Sequence, residues 1–122
     1  MTWYWRAAER VLYIRFSLAG LATSFREDMN IKVMTGYGAA LIVTSWLRGV
    51  SGMKFVILVS LCAVMLACEL MNTAMERICN FICPAPDPRI KKIKDISSAA
   101  VFLPGILFTL LGIWWICVPL SP

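Results

Sequence analysis

Three long apolar blocks constrain the fold of this chain more than any other feature of its sequence. They cover residues 33–47, 55–66 and 99–120, and the second continues past Glu69. A bilayer core about 30 Å thick needs roughly 20 helical residues, with about 17 as the lower limit. The third block reaches this length unaided, whereas the first two need their semi-polar flanks. Because 60% of the residues are hydrophobic, against roughly 45–50% in soluble domains, we predict an all-α integral membrane protein.

We place three transmembrane helices at about residues 33–49, 55–76 and 99–120, within a single domain of residues 1–122. The alternative is two spans with one buried helix. The region before the spans, residues 3–26, interleaves large apolar side chains with arginines and one glutamate. This pattern predicts an amphipathic surface helix at the membrane interface, with Trp and Tyr at headgroup level and Arg reaching toward water.

The distribution of Lys and Arg predicts the orientation. The cationic residues that set it are Arg6, Arg10, Arg15, Arg26 and Lys32 before the first span, and Arg77, Arg89, Lys91, Lys92 and Lys94 around the second loop. The first loop has only Arg48 and Lys54, and no Lys or Arg follows the third span. We therefore expect a multi-pass protein of the bacterial inner membrane with a cytoplasmic N-terminus. Since anionic headgroups account for the net charge of +5, nucleic acid is not an expected partner.

A polar stripe follows one face of the second predicted span. At 100° per residue, Glu69, Asn72, Glu76 and Asn80 lie at about 0°, 300°, 340° and 20° on the helix. A carboxylate at membrane depth is costly and is a functional hypothesis by default. For Glu76 and Asn80 the alternative is that they only mark where the helix leaves the bilayer, but Glu69 lies too deep for that explanation.

Other polar residues can meet this stripe at the cytoplasmic surface. Asp28 precedes the first span, and Lys94, Asp95 and Ser98 lead into the third. Carboxylates from two elements with a lysine nearby can bind Mg²⁺ through one or two carboxylates and phosphate oxygens. The glycine-rich loops and H-R-D or D-F-G motifs of soluble kinases do not occur in this sequence.

The segment E-L-M-N-T-A-M-E at residues 69–76, followed by K-D at residues 94–95, resembles the signature of the prokaryotic diacylglycerol kinase family, which includes undecaprenol kinases. The similarity covers about residues 10–120. It implies a three-span homotrimer with an N-terminal surface helix. It also implies transfer of the γ-phosphate of ATP, with Mg²⁺ as the cofactor, to the hydroxyl of a membrane lipid.

The resemblance also implies a role for each residue of the site. Glu69 would be the general base and contact the lipid, with Asn72 as its catalytic neighbour and Ser98 as a second lipid contact. Asp28 and Glu76 would bind the metal and the nucleotide. Lys94 would contact the phosphates, and Asp95 and Phe16 would contact the nucleotide. The chain departs from the family pattern at four of its positions. The family usually has Glu at Asp28, Arg at Lys32 and Asp at Asn80, and its diacylglycerol kinases tend to have Tyr at Phe16.

The lipid acceptor and the class of function each keep an alternative. Diacylglycerol is favoured because Ser98, Ala99 and Ala100 resemble that branch of the family, and undecaprenol is the other acceptor. From a different class, a small proton-coupled transporter or membrane scaffold could use Glu69 to carry a proton. That alternative assigns no role to Asp28 or Lys94.

Overall fold

Four α-helices account for almost all of the chain. The computed structural model describes the backbone of residues 2–118 and the side chains of residues 12–118. The helices are α1 (Thr2–Glu27), α2 (Met29–Leu47), α3 (Gly52–Ile82) and α4 (Pro88–Cys117). The predicted all-helical architecture is confirmed.

Two of these helices, α3 and α4, are long and apolar enough to cross a membrane, judged by length and composition. They contain 31 and 30 residues, so each is about 45 Å long and exceeds the hydrocarbon thickness of a bilayer. Helix α2 has only 19 residues, and Asn30 and Lys32 lie in its first turn. The span predicted at residues 33–49 therefore stays a prediction, and with it the three-span arrangement.

A single non-helical residue, Asp28, separates α1 from α2. Its backbone is extended, with φ −103° and ψ 116°, and this ends the α1 hydrogen-bonding pattern. The described apolar side chains of α1 are exposed rather than packed into the bundle, among them Tyr13, Phe16 and Leu18. Such exposure is compatible with a helix at a lipid surface, and the membrane position of α1 stays a prediction.

The core lies between α3 and α4, which pack most extensively on each other, with α2 completing the bundle. Leu58, Cys62 and Met65 of α3 and Phe108 of α4 form its buried centre. Helix α2 approaches closely at Gly38, where an added Cβ would lie 2.6 Å from the Cys62 sulfur. Because real Cβ contacts are longer than this, a larger residue at Gly38 would force the Cys62 side chain or a helix to shift, so the small residue permits the close approach.

The connection between α3 and α4, residues 83–87, contains no helix, because Pro84 and Pro86 lack the backbone N–H that a helix needs. Asp87 begins α4 by accepting a hydrogen bond from the Arg89 backbone N–H at 2.7 Å. Pro88 occupies the first helical position, where its missing N–H costs nothing.

Candidate active site

A cleft of about 620 Å³ opens between α2, α3 and α4. One wall is the polar stripe of α3, and the opposite walls are mostly apolar. The cleft is lined by, among others, Asn30, Val33, Tyr37, Glu69, Asn72, Glu76, Ser98, Phe102, Ile106 and Thr109. Since Val33, Phe102 and Ile106 are also exposed, the apolar side of the cleft is continuous with the outer surface of the bundle.

Glu69 and Asn72 are the buried polar residues of this cleft, with 4% and 5% of their surfaces exposed. Glu69 lies beside Asn30 and in the electrostatic field of Glu76 and Asp28. The Oδ1 atom of Asn72 is buried and has no hydrogen-bond partner. An unpaired buried amide oxygen costs free energy of folding, so this arrangement suits a site that gains its partner from a ligand.

The polar stripe ends earlier than its helical angles predicted. Glu69, Asn72 and Glu76 line the cleft, but Asn80 is exposed and lines a second cavity. Four residues along a helix correspond to about 6 Å, which carries Asn80 past the end of the cleft. There its Oδ1 accepts a hydrogen bond from Lys94 Nζ at 2.7 Å.

The second cavity, which we call the loop pocket, has a volume of about 610 Å³. It is lined by the proline-rich connection, Asn80 and the first turns of α4. Lys94 lines the loop pocket and not the cleft. Asp95 is exposed on the same helix and forms an ion pair with Lys91 at 2.7 Å.

Asp28 lies at the α1–α2 junction and is bound by an arginine of α3. Both carboxylate oxygens of Asp28 accept hydrogen bonds from one terminal nitrogen of Arg77, at 3.0 and 3.1 Å. The other terminal nitrogen of Arg77 lies 2.9 Å from Glu27. These two carboxylates raise the pKa of the Arg77 guanidinium above its usual value, with Asp28 making the larger contribution.

The two remaining predicted site residues differ in position. Ser98 lines the cleft one helical turn from Val101, and its lipid contact stays a prediction. Phe16 lies on α1, is 68% exposed and does not line the cleft. Its nucleotide contact stays a prediction.

Three cleft residues were missing from the predicted site. Tyr37 and Thr109 join α2 to α4 through hydroxyl oxygens 2.7 Å apart, and Asn30 lies next to Glu69. Tyr37 and Thr109 are hydroxyl residues inside apolar segments, which is the only sequence signal that marks them. Asn30 could have been found from its position two residues after Asp28.

The oxygen atoms near the polar end of the cleft suit a hard divalent cation. Glu76 lines the cleft, whereas Asp28 lies outside its lining, at the α1–α2 junction. The charges of both carboxylates act on Glu69. Within residues 12–118 no three His, Cys, Asp or Glu side chains form a metal-binding cluster. Two carboxylates are nevertheless enough for Mg²⁺ in nucleotide sites, where phosphate oxygens and water complete the coordination.

Comparison with known proteins identifies the family. The sequence model described as prokaryotic diacylglycerol kinase matches residues 15–117. A diacylglycerol kinase of Pseudomonas aeruginosa is 28% identical over 106 residues, which cover 87% of this chain and 84% of the relative. A diacylglycerol kinase of Synechocystis is 26% identical over 110 residues, covering 88% of this chain and 63% of the relative.

A third relative, a diacylglycerol kinase of Haemophilus influenzae, is 26% identical over 101 residues, covering 83% of each chain. The matched region includes the whole cleft and the loop pocket. The family resemblance carried by residues 69–76 and 94–95 is thus confirmed by independent comparison. The chain therefore belongs to the prokaryotic diacylglycerol kinase family and is a membrane-associated lipid kinase.

Proposed function

We propose that this lipid kinase transfers the γ-phosphate of ATP to the hydroxyl of diacylglycerol and so forms phosphatidic acid. The observation that carries the proposal is a buried carboxylate, Glu69, in a cleft whose other walls are mostly apolar. Val33, Phe102 and Ile106 offer a surface for acyl chains, while the polar wall meets the headgroup. The relatives named diacylglycerol kinase support this acceptor.

In the proposed mechanism, Glu69 accepts the proton of the lipid hydroxyl as that oxygen bonds to the γ-phosphorus. The bond from this phosphorus to the β–γ bridging oxygen breaks, and ADP leaves with that oxygen. A general base must lie within hydrogen-bond reach of the proton that it removes. Asn72, one turn along α3, has its free Oδ1 inside the site and would orient either the lipid hydroxyl or a phosphate-bound water. Ser98 faces the same cleft from α4 and would position the headgroup.

Phosphoryl transfer depends mainly on positioning and on compensating negative charge. Asp28 and Glu76 would hold Mg²⁺, which compensates the charge of the phosphate oxygens when bound. Lys94 would contact the phosphates after leaving Asn80, and Asp95 and Phe16 would contact the nucleotide. Because Phe16, Lys94 and Asp95 lie outside the cleft of one chain, these contacts require movement or a neighbouring subunit.

We also propose the membrane arrangement that the sequence predicts: α1 at the cytoplasmic surface of the inner membrane, and α2, α3 and α4 as spans. The one-sided distribution of Lys and Arg supports a cytoplasmic N-terminus. A C-terminal alkaline phosphatase fusion should be active, since this enzyme requires the periplasm. A C-terminal reporter active only in the cytoplasm would contradict the three-span arrangement.

The homotrimer is supported by the family resemblance and by the many large apolar side chains that remain exposed on the bundle of a single chain. Lipid and neighbouring subunits are both suited to cover them. Chemical crosslinking of the protein in its native membrane should yield dimers and trimers and no larger species. A ladder that ends at the dimer or continues beyond the trimer would contradict this assembly.

The acceptor is tested by supplying purified protein with radiolabelled ATP and either diacylglycerol or undecaprenol in mixed micelles. We expect labelled phosphatidic acid and a lower kcat/KM for undecaprenol. The reverse preference would make the protein an undecaprenol kinase of the same family. Failure to label either lipid would favour the transporter or scaffold alternative.

The metal site is tested at Asp28. Asp28→Asn should abolish or severely weaken Mg²⁺-dependent turnover, because a hard cation needs an anionic oxygen. Asp28→Glu should retain or improve turnover, because it restores the longer carboxylate that the family usually has. Wild-type turnover by Asp28→Asn across a magnesium titration would remove Asp28 from the metal site.

A further inference from the structure

Arg77 links the polar end of α3 to the junction between α1 and α2. It follows Glu76 directly, and 49 residues separate it from Asp28. One terminal nitrogen binds both Asp28 oxygens at 3.0 and 3.1 Å, and the other binds Glu27 at 2.9 Å. Arg77 thus connects two elements that meet at the proposed cation site.

The two carboxylates that Arg77 binds differ in how exposed they are to solvent. The Asp28 carboxylate is mostly buried, with 21% of the side chain exposed, whereas Glu27 is 57% exposed. Both Asp28 oxygens are engaged by Arg77, so a cation that coordinates Asp28 must share or displace these hydrogen bonds. Glu27 holds the other nitrogen of Arg77, so the guanidinium can leave Asp28 while it stays attached at the junction.

We propose that Arg77 is a positioning residue that competes with the divalent cation for Asp28. The inference rests on the proposed function, which assigns Asp28 to the cation site. Without the cation, Arg77 compensates the Asp28 charge and holds the α1–α2 junction against α3. When a cation binds Asp28, the nitrogen released from that carboxylate becomes available to an anionic oxygen nearby, while Glu27 keeps the arginine in place.

Mn²⁺ affinity measured by isothermal titration calorimetry, on detergent-solubilised protein without nucleotide or lipid, tests this competition directly. Arg77→Met removes the competing charge, so Mn²⁺ should bind roughly 3- to 10-fold more tightly, the size of a screened interaction between nearby charges. Arg77→Gln should shift the affinity in the same direction and provides a second variant if the first does not fold. Thermal unfolding of each variant establishes that it is folded.

Arg89→Met is the matched control. Arg89 pairs with Asp87 at 2.8 Å in the proline-rich connection, so the same substitution removes an ion pair outside the proposed cation site. This variant should bind Mn²⁺ with wild-type affinity. An equal gain in Arg89→Met and Arg77→Met would show a general effect of net charge and would overturn the proposal.

Asp28→Asn separates failure of this inference from failure of the proposed function. If Asp28→Asn leaves Mn²⁺ affinity unchanged, Asp28 is not a ligand, and the proposed metal site fails together with the competition. If Asp28→Asn weakens Mn²⁺ binding, the proposed metal site stands. If, in addition, folded Arg77→Met and Arg77→Gln bind Mn²⁺ no more tightly than wild type, the proposed competition is wrong. If the Arg77–Asp28 ion pair only stabilises the fold, this second result is expected together with a lower unfolding midpoint for both Arg77 variants.

Discussion

The cleft and the loop pocket have almost the same volume, about 620 and 610 Å³, but their charged side chains differ in whether they have partners. In the loop pocket every charged lining residue has a partner within the chain: Asp87 binds Arg89, Lys91 binds Asp95, and Lys94 binds Asn80. In the cleft, neither Glu69 nor Glu76 forms a salt bridge within residues 12–118, and Asn72 Oδ1 has no partner.

This difference supports the proposal that the cleft, rather than the loop pocket, binds a ligand. Burying a polar group without a partner costs free energy of folding, and a ligand in the cleft would supply the contact that Asn72 Oδ1 lacks. Paired groups at an exposed loop need no ligand to explain them. Volume alone would not distinguish the two cavities, whereas the hydrogen-bonding state of their walls does. The predictions below test this distinction.

The largest effect is expected from Glu69→Gln. The amide keeps the shape of the side chain but cannot act as the general base, so kcat should fall by about 10²- to 10⁴-fold with a smaller change in the apparent ATP affinity. Lipid phosphorylation and thermal stability in detergent should be measured on the same preparation. Full activity in a more stable protein would show that Glu69 is a structural residue and that the cleft does not differ functionally from the loop pocket.

Lys94 tests the loop pocket, the other cavity of the comparison. If Lys94 leaves Asn80 to bind phosphate, Lys94→Met should raise the KM for ATP roughly 10- to 100-fold, the value of a charge-assisted hydrogen bond. Asn80→Ala, which releases the same lysine without removing it, should retain near-wild-type kinetics. Equal losses in the two variants would mean that the 2.7 Å Lys94–Asn80 contact is itself required and that Lys94 acts through structure.

Asn72→Leu should separate stability from activity. The leucine has a similar volume and removes a buried oxygen that has no partner, so the protein should unfold at a higher temperature, with a gain of about 1 kcal/mol or more. Activity should fall because the site loses its amide. A lower unfolding temperature would show that Asn72 has a compensating partner, for example in a neighbouring subunit. The polar group of the cleft would then not destabilise the fold.

The smallest effect is expected at Asp87. Arg89 lowers the pKa of the Asp87 carboxyl, chiefly through its side chain and then through its backbone N–H. A carboxyl whose folded pKa is depressed stabilises the protein above its unfolded pKa of about 3.9, and this stabilisation is lost as the pH falls through the folded pKa.

Asp87→Ala should therefore lower the unfolding midpoint slightly at neutral pH and leave kinase activity unchanged. The difference from wild type should shrink when the pH is brought below about 3.9. A clear loss of activity in Asp87→Ala would contradict the purely structural interpretation of the loop pocket.

Much of the fold and part of the site were predictable because they depend on local patterns. Helical periodicity placed Glu69, Asn72 and Glu76 on one face, and in the structure all three residues line one cleft. The prolines of residues 83–88 predicted the break between α3 and α4. In contrast, the same periodicity included Asn80, because an angle about the helix axis does not show where along that axis a cavity ends.

The sequence by itself determined that the chain is helical, which face of α3 is polar, and which family it belongs to, because these properties follow from residues close together in the chain. Only the tertiary structure decided that Arg77 binds Asp28 across 49 residues, that Tyr37 meets Thr109 across 72 residues, and that Lys94 faces the loop pocket. Such contacts depend on how the helices are rotated and shifted against one another. Packing at small residues such as Gly38 sets that arrangement, and no local pattern encodes it.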